Sequence, residues 1–331
     1  MEVCGGHTMV IQKFGIPSML PENIRLISGP GCPVCVTDTR FIDTAIAYSG
    51  LNDVIIATFG DLVRVPGSRS SLNKEKGRGA DIRIVYSPLD ALKLAQENQQ
   101  KKVIFLAIGF ETTAPGTAVA IEEARKSEVK NFFVFSAHKV MPPAMKALID
   151  EGVKISGYIA PGHVSTITGA DIYRFIPGQY HIPVVISGFE PLDLLQSILL
   201  LVRQIESGRA AVETQYKRVV RWEGNRKAQQ LLNRVFQLED AWWRGLGVIP
   251  QSGLGIKSEY QEFDASIRLP VEVPPAKENK GCICGEILKG LKQPEDCKLF
   301  GKACTPENPV GACMVSGEGA CQARYRYKAY D

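Results

Sequence analysis

The cysteines of this 331-residue chain lie only near its two ends. Six of the nine fall between residues 282 and 321, and the other three are Cys4, Cys32 and Cys35. The long body between residues 35 and 282 contains none. Thiols that serve one metal or redox centre must lie close together in space. The distribution therefore predicts that the two ends of the chain meet around one site.

Length and charge restrict the class of protein. A chain of 331 residues predicts two or three domains. The net charge of +4 is mild and no basic stretch carries interleaved aromatic residues, which argues against nucleic-acid binding. The N-terminus lacks a signal-peptide pattern, and the most apolar run, residues 192–202, is too short and too polar to span a membrane. We therefore expect a cytoplasmic protein whose cysteines are metal ligands or redox thiols.

Apolar runs and helical patterns alternate along the body of the chain. Continuous apolar runs, typical of strands buried on both faces, predict strands at residues 24–28, 54–59, 82–86, 103–108, 132–136, 158–160 and 184–187. Helices are predicted at residues 37–48, 88–99, 117–126, 141–151, 191–206 and 225–243. Strands that alternate with helices predict an α/β fold with parallel sheets.

The predicted fold has two Rossmann-like parallel-sheet domains flanked by helices, followed by a small cysteine-rich C-terminal domain. Residues 1–99 are assigned to the first α/β domain and residues 100–208 to the second, whose last helix could pack back on the first. Residues 209–331 are assigned to a helical linker and the cysteine-rich domain. Seven strands in the first 190 residues also fit one large sheet.

Unusual loops follow the predicted strands. In parallel sheets, ligands bind beyond the carboxyl ends of the strands. The loops at residues 29–35, 109–115, 136–139 and 161–165 all occupy such positions, and we expect them to line one cleft together with residues 4–8. Three of the four histidines lie in these segments: His7, His138 and His163. Glu111, in the second loop, could either help to cap a helix or face the cleft.

Two of these segments carry thiols. Cys32 and Cys35 form a Cys-x-x-Cys pair before a predicted helix, where backbone N–H groups stabilise a thiolate. A reversible disulfide is favoured over half of a zinc site, because no second pair at zinc spacing lies nearby. Cys4 and His7 are three residues apart in a predicted glycine-containing loop, and together they could bind iron, copper or zinc.

The C-terminal cysteines give the strongest metal signal. Six cysteines allow several ligand quartets for an iron–sulfur cluster. One quartet is Cys284, Cys297, Cys304 and Cys321, with 12, 6 and 16 residues between successive members. That choice leaves two further cysteines, which could form a disulfide with each other. Structural zinc is the alternative, although the segment lacks the paired Cys-x-x-Cys pattern of zinc knuckles.

Five motifs in order resemble the HypD family of [NiFe]-hydrogenase maturation factors. They are Cys-Gly-Gly-His-Thr, Gly-Pro-Gly-Cys-Pro-Val-Cys, Gly-Phe-Glu-Thr-Thr-Ala-Pro, Pro-Gly-His-Val-Ser and the cysteine-rich segment, and they cover essentially the whole chain. The resemblance implies two related α/β domains and a third domain with a [4Fe-4S] cluster. It implies Cys284, Cys297, Cys304 and Cys321 as cluster ligands, and a disulfide between Cys282 and Cys313.

The resemblance also implies a function. In that family a HypC-type chaperone and the HypD-type protein hold an iron while cyanide and carbon monoxide ligands are attached, and a HypE-type protein donates the cyanide. By motif, Cys4 binds this iron beside His7, while Cys32 and Cys35 form a redox dithiol. The candidate functional residues are Cys4, His7, Cys32, Cys35, Glu111 and His163.

We therefore expect an assembly scaffold, monomeric on its own, more than a turnover enzyme. The main alternative is a cluster-dependent thiol–disulfide reductase that acts on a protein partner. A protein with structural zinc is a further alternative.

Overall fold

The computed structural model of the protein describes residues 1–327. Its α-helices are α1 (Gly5–Lys13), α2 (Pro33–Val36), α3 (Thr39–Ser49), α4 (Gly60–Val63), α5 (Leu72–Gly77), α6 (Pro88–Glu97), α7 (Ala114–Lys126), α8 (Met141–Asp150), α9 (Gly162–Thr168), α10 (Phe175–Tyr180), α11 (Pro191–Glu206), α12 (Arg226–Val235), α13 (Ala265–Arg268), α14 (Cys284–Leu288) and α15 (Ala320–Tyr327). Its strands are β1 (Val54–Thr58), β2 (Ile82–Ile84), β3 (Lys102–Gly109), β4 (Phe132–His138), β5 (Tyr158–Pro161), β6 (Val184–Ser187), β7 (Val212–Thr214), β8 (Phe236–Trp243) and β9 (Gly247–Ile256). Short 3₁₀ helices lie at Ile16–Met19, Asp171–Tyr173, Ser258–Phe263, Pro294–Asp296 and Ala312–Met314.

The chain divides into two compact units, each built from separate pieces of sequence. Unit 1 contains residues 1–36, 141–226 and 281–331, of which the last four lie outside the described residues. Unit 2 contains residues 37–140 and 227–280. The cysteine-rich segment therefore belongs to the same unit as the three N-terminal cysteines.

Unit 1 is built around a parallel sheet with the strand order β5-β6-β7. Residues 1–3 extend the sheet beside β5, because Ile159 donates a hydrogen bond to the Met1 carbonyl and Val3 donates one to the Ile159 carbonyl. Helix α11 packs on β6 and β5, while α1 packs on α11. Buried aliphatic side chains from these elements form the core, including Val10, Ile159, Val185 and Leu194.

Unit 2 contains a four-stranded parallel sheet with the strand order β2-β1-β3-β4. The central strands β1 and β3 are buried almost throughout, which explains their continuous apolar sequences. Strands β8 and β9 form an antiparallel hairpin that packs against β4.

The α/β class and the parallel sheets flanked by helices are confirmed. Helix α11 has the predicted limits, and six of the seven predicted strands occur within a few residues of their predicted positions. Side chains cap the start of two of the predicted helices. Asp38 caps α3 through the backbone N–H of Arg40, and Ser87 with Asp90 forms a capping box at the start of α6.

Three predictions are wrong in detail. Residues 24–28 are not a strand in the described chain; only Ser28 forms an isolated parallel bridge, with Glu2. The helix predicted at residues 225–243 ends at Val235, because the following residues pair with β9 to form β8. The boundary predicted after residue 99 falls inside one sheet, because β1 pairs with β3, which lies beyond that boundary.

None of the helices within residues 1–327 combines the length and the apolar character that crossing a bilayer requires.

Candidate functional site

Cys4 is the N-cap residue of α1 and not part of a loop as predicted. Its backbone is extended, with φ −147° and ψ 121°, and the helix begins at Gly5. His7 is the third residue of this helix and follows Cys4 by three positions. Cys4 is half-buried, whereas His7 is fully buried.

A buried carboxylate fixes the start of this helix. Glu2 accepts hydrogen bonds from the Cys4 backbone N–H at 2.9 Å and from the Thr8 hydroxyl at 2.5 Å. Burial raises the pKa of Glu2 to about 7. Burial, and next the Glu318 carboxylate, raises the pKa of the Cys4 thiol to about 12. Cys4 is therefore a neutral thiol at neutral pH unless a cation binds it.

The loop that precedes the Cys-x-x-Cys pair lies directly on Cys4. Gly5 donates a backbone hydrogen bond of 3.0 Å to the Gly31 carbonyl. A β-carbon at Gly31 would lie 2.1 Å from the Cys4 nitrogen and 2.3 Å from the Val3 carbonyl carbon. Only glycine can bring the two backbones this close, which gives the Gly-Pro-Gly sequence a physical reason.

Cys32 and Cys35 form a disulfide with a Cα–Cα distance of 5.2 Å. The Cys35 N–H donates a hydrogen bond of 3.2 Å to the Cys32 sulfur. Both residues are buried, with exposures of 3% and 0%. The short helix α2, which contains Cys35, packs against the 3₁₀ helix Ala312–Met314, so the disulfide lies next to the cysteine-rich segment.

The cysteine-rich segment surrounds a small cavity. All six of its cysteines line this cavity, together with apolar side chains that include Leu299 and Phe300. Cys284 is bonded to Cys313, with a Cα–Cα distance of 6.5 Å. Cys313 is thus paired with Cys284 and not with Cys282, the partner that the resemblance implied, while the ligand quartet stays a prediction.

The four cysteines around the cavity that remain thiols are Cys282, Cys297, Cys304 and Cys321. Burial raises the pKa of Cys321, and the thiols of Cys282, Cys304 and Cys297 raise it further. The Cys304 sulfur also accepts a 3.3 Å hydrogen bond from the Val310 N–H. Within residues 1–327, no group of three or more His, Cys, Asp or Glu side chains is arranged to hold a single metal ion.

A glycine-flanked acidic residue connects the cysteine-rich segment to the Cys4 helix. A β-carbon at Gly5 would lie 2.4 Å from the Glu318 β-carbon and 2.9 Å from its Oε2. On the other side of the same turn, a β-carbon at Gly319 would lie 2.3 Å from the Cys313 carbonyl oxygen. Residues 317–319 thus contact both the helix that follows Cys4 and the backbone of Cys313.

The other predicted site residues divide between the two units. His163 begins α9 in unit 1 and is exposed, with its ring stacked on Phe189. Glu111 lies in unit 2 after β3 and is 4% exposed. His138 is buried at the end of β4 with its Nε2 2.9 Å from the Thr117 hydroxyl, and burial lowers its pKa to about 4. A cleft that joins all the predicted loops stays a prediction.

The comparisons with known proteins cover almost the whole chain. The model of the family described as "HypD: Hydrogenase formation hypA family" matches residues 1–328. This chain belongs to the HypD family. The HypD-family relative "Hydrogenase maturation factor HypD" of Azotobacter vinelandii is 51% identical over 335 residues, which are 99% of this chain and 88% of that protein. Proteins of the same name from Cupriavidus necator and Escherichia coli K12 are 49% and 48% identical, over 99% of this chain and 89% and 88% of their own lengths.

Three residues of this HypD-family site were not predicted. Glu318 could have been suspected from its position between two glycines in the cysteine-rich segment. Phe189 follows β6 at the carboxyl end of a parallel strand, where the rule that located the other loops also applies. Cys282 was assigned to the disulfide, and its spacing gives no signal to distinguish it from Cys284.

Proposed function

We propose that this chain is a hydrogenase maturation factor that holds an iron at Cys4 while cyanide and carbon monoxide ligands are attached. The observation that carries the proposal is the meeting of the two ends of the chain in unit 1. There Gly31 contacts Cys4, α2 packs on Ala312–Met314, and Glu318 contacts Gly5. One site thus combines a thiol that can bind iron, a Cys-x-x-Cys disulfide and a cavity lined by cysteines.

Cys4 and His7 supply the ligands proposed for the iron. Thiolate and imidazole suit ferrous iron, and the two residues lie three positions apart at the start of α1. Because the pKa of Cys4 is raised to about 12, binding of iron as the thiolate releases a proton at neutral pH. The hydrogen bonds that Glu2 accepts from Cys4 and Thr8 hold the helix start in place during this exchange.

The Cys32–Cys35 pair is the proposed redox dithiol. Opening this disulfide to two thiols takes two electrons and two protons. Both cysteines are buried, so another protein could reach them only after a local rearrangement. This burial favours an internal electron donor over a protein disulfide substrate, and therefore the scaffold over the thiol–disulfide reductase.

The cavity in the cysteine-rich segment is the proposed cluster site. Four thiols around one cavity, with a backbone N–H donor to one sulfur, fit the all-thiolate ligation of a [4Fe-4S] cluster. We propose the ligands Cys282, Cys297, Cys304 and Cys321, with Cys284 in the disulfide. A bound cluster would supply single electrons at this position.

The proposed partners are a HypC-type chaperone and a HypE-type cyanide donor. Support comes from the family membership, since the A. vinelandii and E. coli relatives are named hydrogenase maturation factors. The chaperone would share the iron bound at Cys4, and the donor would deliver cyanide to it.

Metal and sulfide analysis of the anaerobically purified protein, produced with a HypC-type partner, tests this function. We expect cluster iron with an equal amount of acid-labile sulfide, plus further iron that Cys4→Ala removes without loss of sulfide. A cluster without further iron would favour the thiol–disulfide reductase. Zinc in place of iron and sulfide would contradict both functions.

A further inference from the structure

The ring of Phe189 lies between two histidines of unit 1. Its centroid is 3.9 Å from that of His163, at an interplanar angle of 25°, and 4.9 Å from that of His7, at 33°. Tyr216 packs edge-on against the same ring at 6.0 Å. Phe189 therefore separates an exposed imidazole from a buried one.

Two glycines shape the slot that holds this ring. A β-carbon at Gly6 would lie 3.1 Å from two carbons of the Phe189 ring, and one at Gly162 would lie 3.2 Å from a third. The β-carbon at Gly162 would also lie 2.4 Å from the Ser187 carbonyl oxygen. The glycines that precede His7 and His163 thus leave room for a single aromatic ring between α1 and α9.

The loop that carries Phe189 is tightly anchored. The Gly188 N–H donates to the Gln215 side chain at 3.1 Å, and the Glu190 N–H donates to Asp193 at 3.2 Å. Gln215 in turn donates to Asp193 at 2.7 Å. Because the backbone is held on both sides of Phe189, its ring is a fixed surface for the two imidazoles.

The orientation of the His7 ring depends on its contact with Phe189. Its Nε2 lies 3.3 Å from the Ser187 carbonyl oxygen, which is long for a hydrogen bond, and its buried Nδ1 has no hydrogen-bond partner among residues 1–327. This long hydrogen bond and an interaction with the Gly188 backbone do not fix the plane of an imidazole. Contact with Phe189 supplies a further constraint.

We propose that Phe189 is a positioning residue that sets the ring planes of His7 and His163 beside Cys4. The inference rests on the proposed function in one respect, since it assigns His7 to the iron held at Cys4. Replacement of Phe189 by an aliphatic residue would leave His7 free to turn in its pocket. Support of a metal ligand by its neighbours is typically worth on the order of tenfold or more in metal affinity.

Histidine NMR and iron analysis of Phe189→Leu, Phe189→Tyr and Phe59→Leu test the proposal in the full chain. Only four histidines are present, so selective ¹⁵N labelling resolves each ring. In the wild type we expect the carbon-bound ring protons of His163 to resonate upfield of those of exposed His181, because His163 stacks on Phe189. Phe189→Leu should abolish this difference and shift the His7 signals, and Phe189→Tyr should restore both.

Phe59 is the matched control, since it is also half-buried and packs edge-on against an aromatic ring, but lies in unit 2. Phe59→Leu should leave the His7 and His163 signals unchanged. In protein produced with the HypC-type partner, Phe189→Leu should retain on the order of tenfold less of the iron beyond the cluster, whereas Phe189→Tyr should retain it.

Unchanged His7 and His163 signals in Phe189→Leu would overturn the proposal, as would full iron retention by that variant. If the wild type holds no iron beyond the cluster, the proposed function fails, and the histidine spectra still show whether the two rings stack on Phe189.

Discussion

Substitution of Gly31 by alanine tests whether the loop before Cys32 must lie directly on Cys4. The new β-carbon would be 2.1 Å from the Cys4 nitrogen, 2.3 Å from the Val3 carbonyl carbon and 2.5 Å from the Cys4 Cα. Ordinary contacts begin at 3.4 Å, so the two backbones must separate by about 1.3 Å. All three opposing atoms belong to the backbone, so rotation of a side chain cannot relieve the clash.

Overpacking of this kind typically costs about 1–3 kcal/mol, and the rigid opposing atoms place Gly31→Ala at the upper end, about 3 kcal/mol. We expect the separation also to weaken the Gly5–Gly31 backbone hydrogen bond and to move Cys4 away from the disulfide loop. The free energy of unfolding, measured by urea denaturation with far-ultraviolet circular dichroism, gives the stability effect. Iron retained at Cys4 gives the functional effect.

Gly178→Ala is the matched control, because Gly178 lies in a helix of the same unit and a β-carbon there would have no atom within 4 Å. It should be neutral or stabilise the protein by about 0.5–1 kcal/mol. If Gly31→Ala matches this control in stability and in retained iron, the close approach of loop and Cys4 is not required.

Three further predictions follow from the described contacts. Cys282→Ser should abolish the cluster, whereas Cys284→Ser should retain the cluster and lose only the disulfide. Iron and sulfide analysis distinguishes the two variants. Loss of the cluster in Cys284→Ser and its retention in Cys282→Ser would restore the ligand set expected from the sequence. The Arg218 guanidinium holds the pKa of Asp193 at about 2. The stabilisation by the ion pair between Arg218 and Asp193 should be present above pH 4 and lost as the pH falls towards 2. Asp193→Asn should remove that pH dependence from urea denaturation curves, and an unchanged dependence would contradict the assignment. Leu194→Ala should destabilise unit 1 by about 2–5 kcal/mol in the same assay, because Leu194 is fully buried between α11 and the sheet; a loss below 1 kcal/mol would argue against that packing.

The regular elements were predictable where local signals agree with long-range packing. Helix α11 combines a proline in its first turn with a long apolar stripe, and both strands at the centre of the larger sheet are continuous apolar runs. The helix predicted over residues 225–243 extended beyond the observed end of α12 at Val235, because the sequence after Val235 is also compatible with a helix. Pairing with the downstream strand β9 is what makes residues 236–243 a strand.

The arrangement of the units could not be predicted from local patterns. The chain passes between the two units after Val36, Val140, Arg226 and Lys280, and of these positions the last alone coincides with a marked change in composition, the start of the cysteine-rich segment. One part of the arrangement was indicated by the absence of cysteine between residues 35 and 282. That pattern correctly brought the two ends of the chain into one unit.

The types of residue in the candidate site were predictable from the sequence, but their arrangement in space was less so. Motif positions identified Cys4, His7 and the Cys32–Cys35 pair. Spacing could not choose between Cys282 and Cys284, which are two residues apart, because the choice depends on which sulfur reaches Cys313. Phe189 and Glu318 act through contacts with glycines that are distant in sequence, which no local pattern reveals.

The infrared spectrum of the anaerobically purified protein, produced with a HypC-type partner, tests the central claim most directly. The account predicts bands in the metal–cyanide and metal–carbonyl region for the wild type, and loss of those bands in Cys4→Ala while the cluster remains. Bands that persist in Cys4→Ala, or that are missing from the wild type, would contradict the assignment of Cys4 as the thiol that holds the iron.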